Sequence, residues 1–150
     1  DGNKFEGEWK KGKKHGIFVH TTQDGKKYEE KWENGVKYNT VTHIFEDGRR
    51  YKGELKDEKF HGKGMLELPG GEKFEGSFKK GIKNGFGKFT TNNGIKYEGK
   101  WKDDKMEGEG VLTLPDGEKY IGKFKDGKIY GKGKFVLHNG EIFEEQFQSI

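Results

Sequence analysis

Large apolar and charged residues alternate along short segments of this chain, and the alternation restarts at a fixed interval. An aromatic residue, a Gly two positions later and a large apolar residue four positions later recur as Phe5-Gly7-Trp9, Tyr51-Gly53-Leu55, Phe74-Gly76-Phe78, Tyr97-Gly99-Trp101 and Tyr120-Gly122-Phe124. Tyr28 and Trp32 keep the phase with Glu30 in place of Gly, and Phe143, Glu145 and Phe147 open a partial seventh unit over 143–150. The starts at 5, 28, 51, 74, 97, 120 and 143 are 23 residues apart each time, with no insertion. An alternation of period two predicts strands, with aromatics and glycines on one face and charged residues on the other.

Three further features hold the same phase. A first turn reads Lys11-Gly12, Asn34-Gly35, Asp57-Glu58, Lys80-Gly81, Asp103-Asp104 and Asp126-Gly127. A Gly-x-Gly follows as Gly62/Gly64, Gly85/Gly87, Gly108/Gly110 and Gly131/Gly133, weakened to Gly16/Phe18 in the first unit and lost as Asn39/Val41 in the second. A second turn closes each unit at Asp24-Gly25, Asp47-Gly48, Gly70-Gly71, Asn93-Gly94, Asp116-Gly117 and Asn139-Gly140. Asp-Gly and Asn-Gly between alternating segments are strong hairpin signals, because both residues tolerate positive φ.

Hairpins chained through tight turns predict an all-β, elongated, single-layer antiparallel β-meander, a repeat ribbon of 23-residue β-hairpin units in one array over 1–150. Parallel pairing would need crossovers of a dozen or more residues, which the chain lacks. Six complete units make about 12 strands and a ribbon roughly 55–60 Å long at about 4.8 Å per strand. Two glycines per hairpin would weaken ordinary strands, so their regularity predicts that rings from adjacent strands lie across the glycine backbone. The rest of the aromatic face is then free for a partner. The second unit, with Glu30, Asn39 and His43 off pattern, predicts a kink, bulge or altered twist around residues 36–43.

The residues that keep this period resemble the MORN (membrane occupation and recognition nexus) repeat. Phe5-Glu6-Gly7-Glu8-Trp9 with Lys14-His15-Gly16, and Tyr51-Lys52-Gly53-Glu54-Leu55 with Phe60-His61-Gly62-Lys63-Gly64, carry the likeness most clearly. The resemblance implies a scaffold or docking module, since MORN proteins include cytoskeletal and ciliary scaffolds that bind motor or assembly proteins. The family name itself proposes membrane association, and MORN arrays also accompany lipid-kinase and methyltransferase domains.

Composition narrows the chemistry. Of 150 residues 37% are charged and 28% hydrophobic, a balance that without the repeat would sit near the disordered class. The 30 Lys and Arg are interspersed with 26 Asp and Glu for a net charge of +4, so nucleic acid is not an expected partner. The chain has no Cys, which excludes disulfides, thiolate metal sites and a Cys nucleophile. No stretch approaches the roughly 18 apolar residues of a membrane helix. Asp1-Gly2 reads as the closing turn of an upstream unit, which suggests a segment of a longer protein.

No catalytic constellation emerges. The histidines are repeat-locked, His15 with His61 and His20 with His43, while His138 stands alone in phase; neither a metal nor any cofactor is expected. The first-strand acids Glu6, Glu8, Glu29, Glu54, Glu75 and Glu98 recur for the same structural reason. The reading is therefore a non-enzymatic scaffold that binds an extended or helical protein segment along its aromatic face, through Phe5, Trp9, Tyr28, Trp32, Tyr51, Phe74, Phe78, Tyr97, Trp101, Tyr120 and Phe124. The alternative is a peripheral module binding acidic phospholipids through Lys10, Lys11, Lys13 and Lys14. A homodimer is compatible with either, and a cytoplasmic setting at the cytoskeleton or cilium, with membrane association as a variant, follows from the resemblance. A far-ultraviolet circular dichroism spectrum should show almost no helix; a helical content above about 20% would overturn the strand reading.

Overall fold

The computed structural model describes residues 2–147, so Asp1 and the last three residues of the partial seventh unit lie outside the description. Thirteen strands follow one another in chain order: β1 (Lys4–Lys10), β2 (Lys13–Thr21), β3 (Lys27–Glu33), β4 (Val36–Ile44), β5 (Arg50–Lys56), β6 (Lys59–Glu67), β7 (Lys73–Lys79), β8 (Ile82–Thr90), β9 (Lys96–Lys102), β10 (Lys105–Thr113), β11 (Lys119–Lys125), β12 (Lys128–Val136) and β13 (Ile142–Phe147). Each strand pairs only with its sequence neighbours, giving a single antiparallel meander, and no helix is present among the described residues.

The two turns of each unit have different chemistry. At the first turn both central residues have positive φ, for example Lys80 at 53° and Gly81 at 85°, the mirror-image two-residue geometry that suits strand twist. The second turn is wider. In it Thr91 N–H donates to the Ile95 carbonyl and Gly94 N–H to the Thr91 carbonyl, with only the Gly left-handed, so Asn93-Gly94 does not need positive φ at its Asn. The first turns also fold back on the preceding hairpin: Gly35, Gly81, Asp104 and Gly127 donate their N–H to the carbonyls of Lys14, Phe60, Lys83 and Met106.

Within each hairpin the second strand carries two extra residues. Gly99 pairs with Gly110 and Trp101 with Met106, so two steps on β9 match four on β10. The same shift separates Glu30↔Val41 from Trp32↔Lys37 in the second unit. The irregularity expected at residues 36–43 is therefore a property of every hairpin and does not set the second unit apart. An insertion of two preserves the alternation of faces, which keeps inward side chains inward on both sides of the bulge.

The core is a ladder of rings over paired glycines. Each ring comes from the strand that carries the first glycine, two residues before it, and reaches the second glycine from the adjacent strand, as anticipated for that member of the pair. A Cβ added at Gly99 would lie 2.5 Å from the Tyr97 hydroxyl oxygen and 2.6 Å from the Gly110 Cα, and one at Gly110 would meet the same hydroxyl. Tyr51 covers Gly53 and Gly64 in the same way, Phe74 covers Gly76 and Gly87, and Tyr120 covers Gly122 and Gly133. The hydroxyls of Tyr51, Tyr97 and Tyr120 donate to the carbonyls of Glu54, Lys100 and Lys123 at 2.8, 3.1 and 3.2 Å. Burial pushes the Tyr97 pKa up to about 12, so this donor keeps its proton throughout the physiological range.

In the fourth, fifth and sixth units the second aromatic wedges edge-on between the first aromatic of its own unit and that of the preceding one. Phe78 meets Phe74 and Tyr51 at 5.2 and 5.5 Å, Trp101 meets Tyr97 and Phe74 at 5.4 and 5.1 Å, and Phe124 meets Tyr120 and Tyr97 at 5.4 and 4.8 Å. Their interplanar angles run from 77° to 88°, the near-perpendicular arrangement the ring quadrupoles favour, worth about 0.5–1.5 kcal/mol per pair beyond burial. This zigzag replaces the second layer that a sheet of this kind lacks. Gly99→Ala should cost about 1–3 kcal/mol of stability by overpacking, and hydrogen exchange should loosen across residues 97–113. Unchanged protection there would show that the ring has room to move.

Candidate functional site

The ladder is complete from the third unit onward and is rebuilt or broken before it. In the first unit Phe18 stands where the second glycine would be, and its buried ring covers Gly7 from the opposite strand. Trp9 and Trp32 then make edge contacts with Phe18 at 5.6 and 6.5 Å, as their counterparts do with the tyrosines. In the second unit both glycines are replaced, by Glu30 and Val41, and no ring can enter. The Glu30 side chain fills the slot instead, only 4% exposed. Its carboxylate accepts the Trp32 indole N–H at 3.2 Å, pairs with His20 Nδ1 at 3.2 Å and has the Lys37 ammonium at 3.7 Å. A buried carboxylate is tolerated because these partners surround it.

Displaced from the slot, the Tyr28 ring leans along the sheet. It stacks on His43 at 4.4 Å, His43 stacks on Phe45 at 4.0 Å, and Phe45 meets Phe60 edge-on at 6.0 Å. The His43, Phe45 and Phe60 rings floor a concavity of about 640 Å³ between the second and third units, and Tyr28 lines a neighbouring hollow with Asp24, Lys26 and Glu58. The rims of the concavity are the turn segments carrying Asp24 and Lys26, Glu46 to Arg49, and Glu58 and Lys59. Lys26 pairs with Asp24 at 3.8 Å and Arg49 with Asp47 at 2.8 Å, and the Arg49 guanidinium covers the Phe45 ring at 4.1 Å. Burial, with Lys26 and Arg49 nearby, holds the His43 pKa below its ordinary value, so the floor is neutral at physiological pH.

The eleven aromatics expected to form a partner face fall into two groups. Tyr51, Phe74, Phe78, Tyr97, Trp101, Tyr120 and Phe124 are the buried core of the ladder and present almost no surface. Phe5 and Trp9 are exposed and Tyr28 and Trp32 half-buried. His43, Phe45 and Phe60 were not among the residues expected to face a partner. A signal for Phe60 existed: positions 14, 37, 60, 83, 106 and 129 share one phase and read Lys, Lys, Phe, Lys, Met and Ile, an inward position that is apolar in three units.

The same phase corrects the proposed lysine cluster. Lys10, Lys11 and Lys13 are exposed around the first turn, but Lys14 faces inward, its ammonium 3.5 Å above Phe5 and 4.4 Å from Trp32. Lys83 repeats the arrangement among Phe74, Phe89 and Trp101 at 5.2 to 5.4 Å, and burial lowers its pKa. The described residues that come closest to a metal-ligand set are Asp116, Glu118 and His138, with donor atoms within 4.8 Å of one another. They sit on adjacent turns, where His138 Nδ1 and the Glu118 carboxylate form a largely exposed pair at 3.0 Å. The described surface brings together no nucleophile, base and orienting group of a catalytic kind.

Comparison with known proteins matches the model of the MORN repeat to residues 5–17, 51–73, 74–96, 97–119 and 120–142. The match skips residues 18–50, the stretch in which Phe18, Glu30 and Val41 replace glycines. No curated protein sequence matches the chain significantly. Among solved structures, the SAS-4 (dCPAP) TCP domain of Drosophila melanogaster, in complex with a proline-rich motif of Ana2 (dSTIL), is similar with a TM-score of 0.51 and 15% identity, over 89% of this chain and 80% of that one. That likeness is one of fold. An inactive variant of virginiamycin B lyase from Staphylococcus aureus with quinupristin aligns over 99% of this chain and 47% of that one, at 15% identity, with a TM-score of only 0.21.

Because the folded pKa of His43 lies below its unfolded value, protonation favours the unfolded chain; the stability it contributes is full above the unfolded pKa of 6.5 and is lost as pH falls. The thermal midpoint should therefore drop between about pH 7.5 and pH 5.5. His43→Leu, which installs the residue found in phase at Leu66 and Leu112, should flatten that dependence. An identical slope in the variant would remove His43 from the account.

Proposed function

The chain belongs to the MORN repeat family, and we propose that it is a non-catalytic docking module that holds an extended segment of a partner protein in the groove beside its second and third units. The observation that carries this reading is the ring floor of His43, Phe45 and Phe60, with Tyr28 stacked on His43 at its edge because Glu30 occupies the slot where a ring would otherwise be buried. The ladder aromatics from the third unit onward bury one another, and aromatic surface left in a concave, neutral site is the kind that anchors partners. Flat ring faces suit a proline-rich strand, whose extended conformation costs little entropy to fix. The complex of the SAS-4 domain with a proline-rich motif supports a partner of that class. The setting proposed is a cytoplasmic scaffold of the cytoskeleton or cilium.

The second reading is attachment to acidic phospholipid, favoured by Lys10, Lys11 and Lys13, which are exposed and have no carboxylate within ion-pair distance among the described residues. Such contacts are screened beyond about 8–10 Å at physiological ionic strength and should be weak.

Titration with a hexaproline peptide followed by amide chemical shifts should perturb residues 26–28, 43–49 and 59–60. The response should vanish in a Tyr28→Ala, Phe45→Ala double variant, whose deleted rings lie outside the buried ladder. Shifts confined to the opposite face, around Lys88 and Lys123, would overturn the assignment of the groove. Sedimentation with phosphatidylserine vesicles that persists at high salt would place the lipid reading first.

A further inference from the structure

The residue before the first aromatic is a cation in every complete unit: Lys4, Lys27, Arg50, Lys73, Lys96 and Lys119. Cross-strand pairing joins these cations into one line through a single residue each time, as Lys73↔Thr90↔Lys96↔Thr113↔Lys119↔Val136 over the last three units. Directly paired residues share a face, and alternation along each strand puts this row on the face opposite the rings. Successive cations lie two strands, about 9.6 Å, apart.

Solubility alone does not account for the constant sign. The position three residues after the first aromatic faces the same way and takes either sign, as Glu8, Lys31, Glu54 and Lys100. An acidic row one step along the strands answers the cations in part, since Arg50 pairs with Glu29 at 3.4 Å and Lys73 with Glu75 at 3.3 Å. Lys96 and Lys119 are exposed and pair with no carboxylate among the described residues. Glu98, two residues from Lys96, is opposed by Lys88 across the strands, and Ile121 stands where Lys119 would meet an acid. Apolar surface accompanies these free cations. Val111 pairs with Ile121, which is 42% exposed, and Val136 pairs with Lys119. A hollow of about 500 Å³ opens beside Ile121 over the backbone of Gly122 and Gly133, with a rim of mixed charge.

We propose that the outer face of the last three units docks an acidic, proline-containing segment of a partner protein in the polyproline II conformation, with one carboxylate to each of Lys73, Lys96 and Lys119. That conformer turns once in three residues and rises about 3.1 Å per residue, so every third side chain points the same way at intervals of roughly 9.3 Å. The interval matches the row. A β-strand sends every third side chain to the opposite side and fails the match. Thr90 and Thr113 place hydroxyl donors between the cations, Val111, Ile121 and Val136 supply apolar surface for the prolines, and Lys73 exchanges Glu75 for the incoming carboxylate. A lipid surface is better served by a dense cluster of cations than by one per unit. The site lies on the opposite face from the groove and does not depend on it.

The probes are two labelled peptides of identical glutamate and proline content, one with glutamate at every third position and one with all its glutamates consecutive. Attraction by charge alone favours the second; the row favours the first. In fluorescence anisotropy at low salt the spaced peptide should bind about fivefold more tightly, and added salt should weaken it. Lys96→Gln with Lys119→Gln should abolish that advantage and weaken the spaced peptide about fourfold, twofold for each exposed ion pair, without moving the thermal midpoint. Lys79→Gln with Lys102→Gln removes equal charge from outside the row and should leave the advantage in place. Hexaproline, which lacks carboxylates, should not shift the amides of Lys96 and Lys119, whatever it does at the groove. Equal or tighter binding of the consecutive peptide, or an advantage that survives Lys96→Gln with Lys119→Gln, would overturn the proposal. Binding of neither peptide would also overturn it, and phosphatidylserine vesicles that then sediment with the native chain but not with that double variant would assign the face to a membrane.

Discussion

Everything in this fold depends on one close approach: a ring laid flat across two glycines that face each other on paired strands. Neither glycine can carry a Cβ, because the hydroxyl and edge of Tyr51, Tyr97 or Tyr120 occupy that volume. The ring is thereby covered on one side by backbone, and the wedge residues Phe78, Trp101 and Phe124 cover it on the other. A sheet with no second layer can in this way bury aromatics that would otherwise be wet. It also makes each unit complete only in the presence of its neighbour, since every wedge touches two successive units.

The second unit shows what happens when the slot is denied to a ring. Glu30 fills it with a carboxylate matched by His20, Trp32 and Lys37, and Tyr28 is turned out onto His43. A core position becomes polar and a surface position becomes aromatic through the same substitution. Exposure of the groove is thus a by-product of how the slot is filled, and the two cannot be altered independently.

Much of this could be read from the chain before any coordinates. The 23-residue interval, both turns, the antiparallel order and the sharing of one face by rings and glycines follow from alternation and turn chemistry. The two-residue bulge in each hairpin was hidden because an even insertion leaves the alternation intact. Which ring covers which glycine is a matter of register, and the pattern alone does not contain the register. Trp101 and its kin were read as partner-facing because composition identifies an aromatic without saying whether another aromatic already occupies its face. Lys14 was grouped with Lys10, Lys11 and Lys13 by proximity in sequence, although its phase matches Met106 and Ile129, which point inward.

The first unit carries a consequence for how such arrays can change over time. Phe18 supplies from β2 the ring that Tyr51, Tyr97 and Tyr120 supply from the other strand, and Phe5 has moved out to stack on His20. Two rings cannot share the slot, so a phenylalanine arriving at the second glycine is tolerated only if the first aromatic vacates it. The two sites are therefore coupled in descent, and either replacement alone is a step through a less stable intermediate. Related arrays should change at these positions together, with lineages locked into one ring donor or the other.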